Sequence, residues 1–230
     1  MKINVLGIDG IEGKVKYNDP QLNALVEKFA PKKISPYFAE FTRDDFIGAD
    51  CHIVRKDLML DFLIMDMEKI EARLGNTKDA QEISLLKKYQ QCLEQEKPLC
   101  DMEATEQDLA QLRELAPISR KPTLVIEDTS IPVNELIKQS LDKASMMFFY
   151  TAGPKEVHAW IVRKNSDAVT CAGKIHSDLA RGFIKAEVVG INDFLSVHNM
   201  QEAKTKGLVK LTDRDYIIQP GDILEIRFNV

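Results

Sequence analysis

Between Asp57 and Lys97 the buried-type positions of this chain recur in long runs of helical steps. Leu63, Met67, Ile70 and Leu74 step by four, three and four; Ile83, Leu86, Gln90 and Leu93 step by three, four and three. Each set falls on one face of a helix. Gly75-Asn76 is expected to stop the first helix, because both residues tolerate the left-handed conformation, and Lys97-Pro98 closes the second. Two amphipathic helices joined by so short a turn must lie antiparallel, so residues 57–118 are read as an α-hairpin insertion. Thr105-Glu106-Gln107-Asp108 opens a third, shorter helix, with Thr105 placed to cap it and Asp108 in its positive first turn.

The flanking segments carry strand patterns. Residues 3–8, 37–41, 51–54 and 123–127 read as short strands, with a helix opened by Asp19-Pro20 (Leu22, Leu25, Val26 and Phe29 on one face) and ended by Pro31. Val133–Ala144 reads as a helix and Met146–Thr151 as an apolar strand. Beyond these come strand 158–162, a helix near 177–183, strand 185–189, a helix near 192–198 and strand 208–211. At the end, Tyr216-Ile217-Ile218 and Leu224–Phe228 flank Gln219-Pro220-Gly221-Asp222, which predicts a closing hairpin around a type II turn. The expected class is α+β: a small reduced α/β sheet from residues 1–56 completed by 119–147, the helical hairpin of 57–118, and a β-grasp domain over 148–230.

Charge narrows the partners. The net charge is −5, with 20 Lys+Arg against 26 Asp+Glu up to residue 148 and 11 against 10 beyond it. Contact with nucleic acid must come from a local basic face. Four cysteines, Cys51, Cys92, Cys100 and Cys171, form no C-x-x-C and have no histidine at ligand spacing, so reduced thiols and no metal are expected. No apolar run reaches the roughly 20 residues of a membrane helix, and Met1–Gly7 lacks the features of a signal peptide. The expected location is cytoplasmic, with no membrane partner.

Two stretches then carry a resemblance. Ile175-His176-x-Asp178, Ala186-Glu187-Val188-Val189 and Gly221-Asp222-Ile223-Leu224-Glu225-Ile226 resemble the TGS domain, the ubiquitin-like module of threonyl-tRNA synthetases, some GTPases and stringent-response enzymes. The run Phe148–Trp160, the stretch Ala172–Ala186 and the ending Arg227-Phe228-Asn229-Val230 look still more like the Obg-like, YchF-type ribosome-binding ATPases. Leu63–Leu74 is similar to the helical insertion of that family. Such ATPases have a longer G domain than residues 1–56 and 119–147 supply.

The phosphate loop of a G domain has the form G-x-x-x-x-G-K-[ST]. This chain offers Gly7-Ile8-Asp9-Gly10-Ile11-Glu12-Gly13-Lys14-Val15. From Gly7 to Gly13 is one residue too long, Asp9 and Glu12 bring negative charge, and Val15 replaces the hydroxyl that holds Mg²⁺. Asp45-Phe46-Ile47-Gly48 echoes D-x-x-G, and Glu127-Asp128-Thr129-Ser130 stands where the family's base-reading Asn is expected. From this the chain is expected to be no enzyme and to take no cofactor, with weak binding of ATP or GTP with Mg²⁺ through Gly7, Gly13 and Lys14 as the alternative. No other catalytic set stands out: His52, His158, His176 and His198 are scattered, and no G-x-S-x-G occurs.

Lys174, His176, Arg181 and Lys185 flank the helix expected after Gly173. They form a candidate RNA-phosphate contact, with ordinary surface charge, and a helix-start role for His176, as the other reading. Trp160 and Phe148-Phe149-Tyr150 are assigned to the core. The function so implied is a non-catalytic, YchF-like binding or regulatory module at the ribosome or its RNA. A protein partner through the α-hairpin is a further possibility.

Overall fold

A computed structural model describes residues Met1–Asn229; Val230, the last residue of the family-like ending, lies outside the described residues. The strands are β1 (Lys2–Leu6), β2 (Gly13–Lys16), β3 (Lys33–Ser35), β4 (Phe38–Thr42), β5 (Cys51–Arg55), β6 (Thr123–Ile126), β7 (Met146–Ala152), β8 (Glu156–Arg163), β9 (Phe183–Gly190), β10 (Lys210–Thr212) and β11 (Asp222–Phe228). The helices are α1 (Pro20–Phe29), α2 (Met59–Asn76), α3 (Ala80–Glu94), α4 (Glu106–Leu115), α5 (Val133–Lys143), α6 (Ala168–Ile175), α7 (Ser177–Arg181), α8 (Ile191–Leu195) and α9 (Met200–Thr205). They divide into two compact units. One holds Met1–Val15 and Ala39–Ala144; the other holds Lys16–Phe38 and the chain from Ser145 onward. Residues 16–38, grouped by sequence with 1–56, thus fold with the C-terminal part. The cause is visible in the core: Leu22 and Leu25 of α1 are buried with Tyr150, Val157 and Val189.

The N-terminal unit is built on a sheet of order β2-β4-β1-β5-β6. β4, β1, β5 and β6 run parallel, with Ile3 beside both Phe41 and Cys51, and Ile53 beside Leu124. Strands buried on both faces need apolar runs, which Cys51–Val54 supplies with four buried residues in succession. α2 and α3 are joined by residues 77–79 and share a core in which Leu63 and Ile70 meet Leu86, Tyr89 and Leu93. The helix end differs from expectation. α2 continues through Gly75 and Asn76, neither of which takes a positive φ. Extended Thr77 ends it instead, and the Asn76 amide donates to the Ala72 carbonyl at 2.8 Å. Thr105 and Asp108 form a complete capping box on α4.

The C-terminal unit carries a sheet of order β10-β9-β11-β7-β8-β3. β7 and β8 pair antiparallel from Met146–Arg163 to Ala152–Val157, and the last strand, β11, lies parallel to β7 on one side and antiparallel to β9 on the other. The expected closing hairpin is absent. Gly221 has the positive φ (+87°) of the turn, but β11 is already paired on both edges. Ile217 instead bridges Asp167, and the Ile218 N–H donates to Ser166. The sequence reading also passed over β2, β3, α6 and α9. α6 contains Gly173 and three β-branched residues, Val169, Thr170 and Ile175, none of them a strong helix former; the Asp167 carboxylate capping Thr170 N–H at 2.7 Å starts it.

Candidate functional site: the β1 loop and the α6–α7 corner

The loop after β1 follows from local sequence. Gly7, Gly10 and Gly13 all take positive φ, between 79° and 84°, a region L side chains seldom adopt. The loop leads into strand β2 rather than into a helix. A phosphate loop draws its strength from amides at a helix N-terminus, and here no helix follows. Its carbonyls face arginines: Arg55 Nη1 donates to Gly7 O at 3.0 Å and Arg43 Nη2 to Ile8 O at 3.3 Å. Asp9 pairs with Arg43 at 3.3 Å. Lys14 lies on the exposed strand β2, and Val15 offers no oxygen to a metal.

The D-x-x-G echo is closed on itself. Asp45 Oδ1 accepts the Gly48 N–H at 2.8 Å, Asp45 Oδ2 meets Lys2 Nζ at 3.2 Å, and the Asp45 N–H donates to Asn4. The Gly48 amide, and then Lys2, hold the Asp45 carboxyl below the usual carboxylate range. Lys121 Nζ reaches the carbonyls of Phe46, Ile47 and Ala49. Both groups that such a motif would aim at a metal and a phosphate are spent within the loop. Tested on these contacts, the loop residues do not fit a Mg²⁺-triphosphate cradle. Among the described residues no cluster of His, Cys, Asp or Glu suits a metal ion.

In the C-terminal unit, Lys174 sits exposed in the last turn of α6, and His176 is both the C-cap of α6 and the N-cap of α7. Its Nδ1 accepts the Asp178 N–H at 3.1 Å, so His176 has the helix-start role. Arg181 pairs with Asp178 at 2.9 Å and Lys185, on β9, with Asp213 at 2.5 Å. Gly173 lies inside α6, where an added Cβ would stand 3.4 Å from Ala180 Cβ, so the two helices meet tightly there. Lys174, His176 and Arg181 share this corner; Lys185 follows on the next strand.

Sequence reasoning missed the residues that organise these regions. Asp66, fully buried, accepts the N–H groups of Ile118 and Ser119 at 2.7 and 2.8 Å. Arg43 and Arg55 grip the β1 loop. Glu187 is buried between Arg227 and Lys204. Asp66 had a signal, since it interrupts an apolar helical face; the arginines had none. In the helical segment a cleft of about 430 Å³ opens among Lys69, Arg73, Glu82, Gln111 and Glu114.

Comparison with known proteins finds relatives for this chain. Residues 146–229 match the family YchF-GTPase_C, described as a protein of unknown function. The chain is 27% identical over 330 aligned positions to the Bacillus subtilis protein named ribosome-binding ATPase YchF, covering 97% of this chain and 90% of that one. The chain is a homologue of the YchF and Obg-like ATPases. A Mycoplasma genitalium YchF is 40% identical over 98 residues, 43% of this chain and 27% of its own. Human Obg-like ATPase 1 is 37% identical over 118 residues, 51% of this chain and 30% of its own. In these two alignments the chain spans under a third of the relative. The Schizosaccharomyces pombe YchF GTPase shares the fold, with a TM-score of 0.77 at 17% identity over 96% of this chain and 88% of that one. In the Bacillus alignment the 230 residues of this chain are spread along 330 positions, so about a hundred positions of that YchF have no counterpart here.

These relatives overturn two expectations. A chain read as no enzyme and as taking no cofactor is similar along 97% of its length to a protein named an ATPase, and over 51% of it to another. The expectations rested on three local motifs, the β1 loop, the D-x-x-G echo and the missing base-reading Asn, and local motifs do not define what a homologue does. Among the described residues no helix is long and apolar enough to cross a membrane. The relatives' names mention the ribosome but no partner for the helical segment.

Proposed function

We propose that this chain is a YchF-type ribosome-associated protein that binds and turns over a purine nucleotide. The observation that carries the reading is the family match over residues 146–229, together with 27% identity to a ribosome-binding ATPase along nearly the whole chain. The nucleotide is ATP or GTP with Mg²⁺, after the ATPase and GTPase names of the relatives. Since the loop residues do not fit the usual cradle, affinity is expected to be weak and no step is assigned to Gly7, Gly13 or Lys14.

The C-terminal unit is taken as a TGS-like β-grasp domain. In support, from Ser145 onward the β7–β8 hairpin comes first, α6 and α7 follow, and β11 lies parallel to β7. α2 and α3 are taken as the antiparallel helical arm of the family, supported by their three-residue link and common core. The docking surface is the α6–α7 corner, where Lys174, Arg181 and Lys185 meet phosphates of ribosomal RNA while His176 holds the corner's shape. Phosphate contacts position a protein without reading sequence.

Two measurements test this. In co-sedimentation with ribosomes, binding should fall steeply between low and moderate salt, as contacts to phosphate do. Salt-insensitive pelleting would remove RNA phosphates as the partner. Calorimetry and a phosphate-release assay with ATP and GTP should give weak, Mg²⁺-dependent binding and slow turnover. If neither nucleotide bound even at millimolar concentration, the nucleotide half of the reading would be lost and the ribosome half would stand alone.

A further inference from the structure

We propose that Arg43 and Arg55 form a binding site for the oxygens of a phosphate chain at the carboxyl end of the N-terminal sheet, in place of the loop amides. The inference rests on the nucleotide half of the function proposed above and names the groups that hold its phosphates.

The topology puts both arginines at one place. In the order β4-β1-β5-β6, the chain leaves β1 to build β4 on one side and then crosses to β5 on the other. β1 is therefore the strand at which the direction of winding reverses. Open α/β sheets bind ligands in the crevice outside the carboxyl ends of strands at such a point. Arg43 directly follows β4 and Arg55 ends β5, so each flanks the carboxyl end of β1 from its own side.

Their contacts show convergence. Arg55 donates to the carbonyl of Gly7 and Arg43 to that of Ile8, two consecutive carbonyls of one loop. Gly7 permits this approach: a Cβ there would stand 2.9 Å from Arg55 Cβ and 2.7 Å from Leu58 Cδ1. The loop thus turns its oxygens toward two guanidinium groups, and positive charge gathers where the amides of an ordinary phosphate loop would supply it.

The remaining donors face exposed carboxylates. Arg55 Nε and Nη2 grip Asp57 at 2.5 and 2.8 Å, and Arg43 Nη1 meets Asp9 at 3.3 Å. The Asp9 side chain is fully exposed and that of Asp57 mostly so. Exposed pairs of this kind hold weakly and are screened by salt. A guanidinium presents five donors in a planar fork that matches phosphate oxygens bidentately. Asp9 and Asp57 stand in the positions an incoming phosphate would take, and a phosphate chain carrying more charge displaces them.

Calorimetry on the whole chain with inorganic pyrophosphate, ATP and adenosine tests the site. Pyrophosphate and ATP should compete, and adenosine should bind at least about tenfold more weakly, as expected when charged hydrogen bonds supply the affinity. Arg43→Gln and Arg55→Gln should each weaken pyrophosphate about tenfold, with the fold checked by circular dichroism. Asp57→Asn should tighten it, because the fork of Arg55 is released; this gain does not depend on an arginine variant folding well. Unchanged pyrophosphate affinity in the arginine variants, no binding by the wild type, or loosening in Asp57→Asn overturns the proposal. If ATP binds and the arginine variants bind it equally well, the site falls while the nucleotide reading stands. If pyrophosphate binds through the arginines and ATP gains nothing over it, the site stands and the nucleotide reading falls.

Discussion

Two of the buried carboxylates, Asp66 in the N-terminal unit and Glu187 in the C-terminal unit, are satisfied in opposite ways. In the N-terminal unit Asp66 on α2 accepts two backbone amides, those of Ile118 and Ser119. In the C-terminal unit Glu187 on β9 is met by two side chains, Arg227 of β11 and Lys204 of α9. Backbone amides are fixed by the chain's path, so Asp66 ties the start of the helical segment to its end, without long side chains to order and beyond the reach of salt. The cations on Glu187 are partly exposed, 54% for Arg227 and 33% for Lys204. Their hold costs side-chain entropy and competes with water. Asp66 is held by geometry, Glu187 by charge.

The strongest way to break this comparison is Asp66→Ala. Two buried N–H groups would lose their only acceptors, and each unsatisfied group costs about 1–3 kcal/mol, so roughly 4 kcal/mol of stability should be lost. Urea unfolding would show it, at low and high salt alike. A loss below about 1 kcal/mol would mean that water reaches these amides and that Asp66 is no pin.

His52 offers a second test of the same unit. It is fully buried on β5 beside the rings of Phe46 and Phe62, and neither ring nitrogen has a hydrogen-bond partner in the described structure. Burial, with Lys121 adding to it and Asp45 opposing, pushes its pKa down from 6.5 to about 4. The unfolded chain therefore takes up the proton first as pH falls. Stability should be intact above pH 6.5, decline as pH drops toward about 4, and decline no further from this group below that. The full loss is about 3 kcal/mol. His52→Phe should flatten the slope in that window; an unaltered slope would assign the acid sensitivity to other groups.

Glu187→Gln sharpens the comparison from the other side. The neutral isostere keeps the volume and releases two cations that water can already reach, so about 1–2 kcal/mol is expected. The difference from wild type should shrink in high salt, whereas that of Asp66→Ala should not. Equal salt dependence would erase the distinction between the two pins.

How much was legible beforehand follows the same division. Periodicity placed α1, α2 and α3 because each buries one stripe, and Thr105 with Asp108 announced α4 by capping chemistry. Alternation at Leu224–Phe228 found β11 but not its neighbours. Register is decided by strands far away in sequence, so the hairpin read from Gln219–Asp222 gave way to pairing with β7 and β9. α6 was lost because Gly173, Val169 and Thr170 are poor helix formers, and tertiary packing of Cys171 and Ala172 overrides that weakness. At the β1 loop the residues were read as a failed phosphate cradle, and the loop leads into strand β2 with its carbonyls on Arg43 and Arg55. Arg43 and Arg55 lay unseen because only the sheet brings positions 7, 43 and 55 together. The expectations of no enzyme and no cofactor were drawn from short motifs, and similarity along nearly the whole chain to a protein named an ATPase overturned them.

The smallest expected effect on stability belongs to the α6–α7 corner, and this makes it the cleanest test of docking. Lys174 is exposed, and Lys185 spends its charge on Asp213, itself 69% exposed. Replacing both lysines with alanine should shift the unfolding midpoint within the few tenths of a kcal/mol usual for surface changes. Ribosome co-sedimentation should nevertheless weaken several-fold at low salt, and the slope of log affinity against log salt should flatten by about one to two, as two phosphate contacts are lost. Glu187→Gln serves as the control, because it loosens the same unit without removing a surface lysine. If that variant weakened ribosome binding and the double lysine variant did not, docking would depend on the integrity of the charge-pinned sheet and not on the corner's cations.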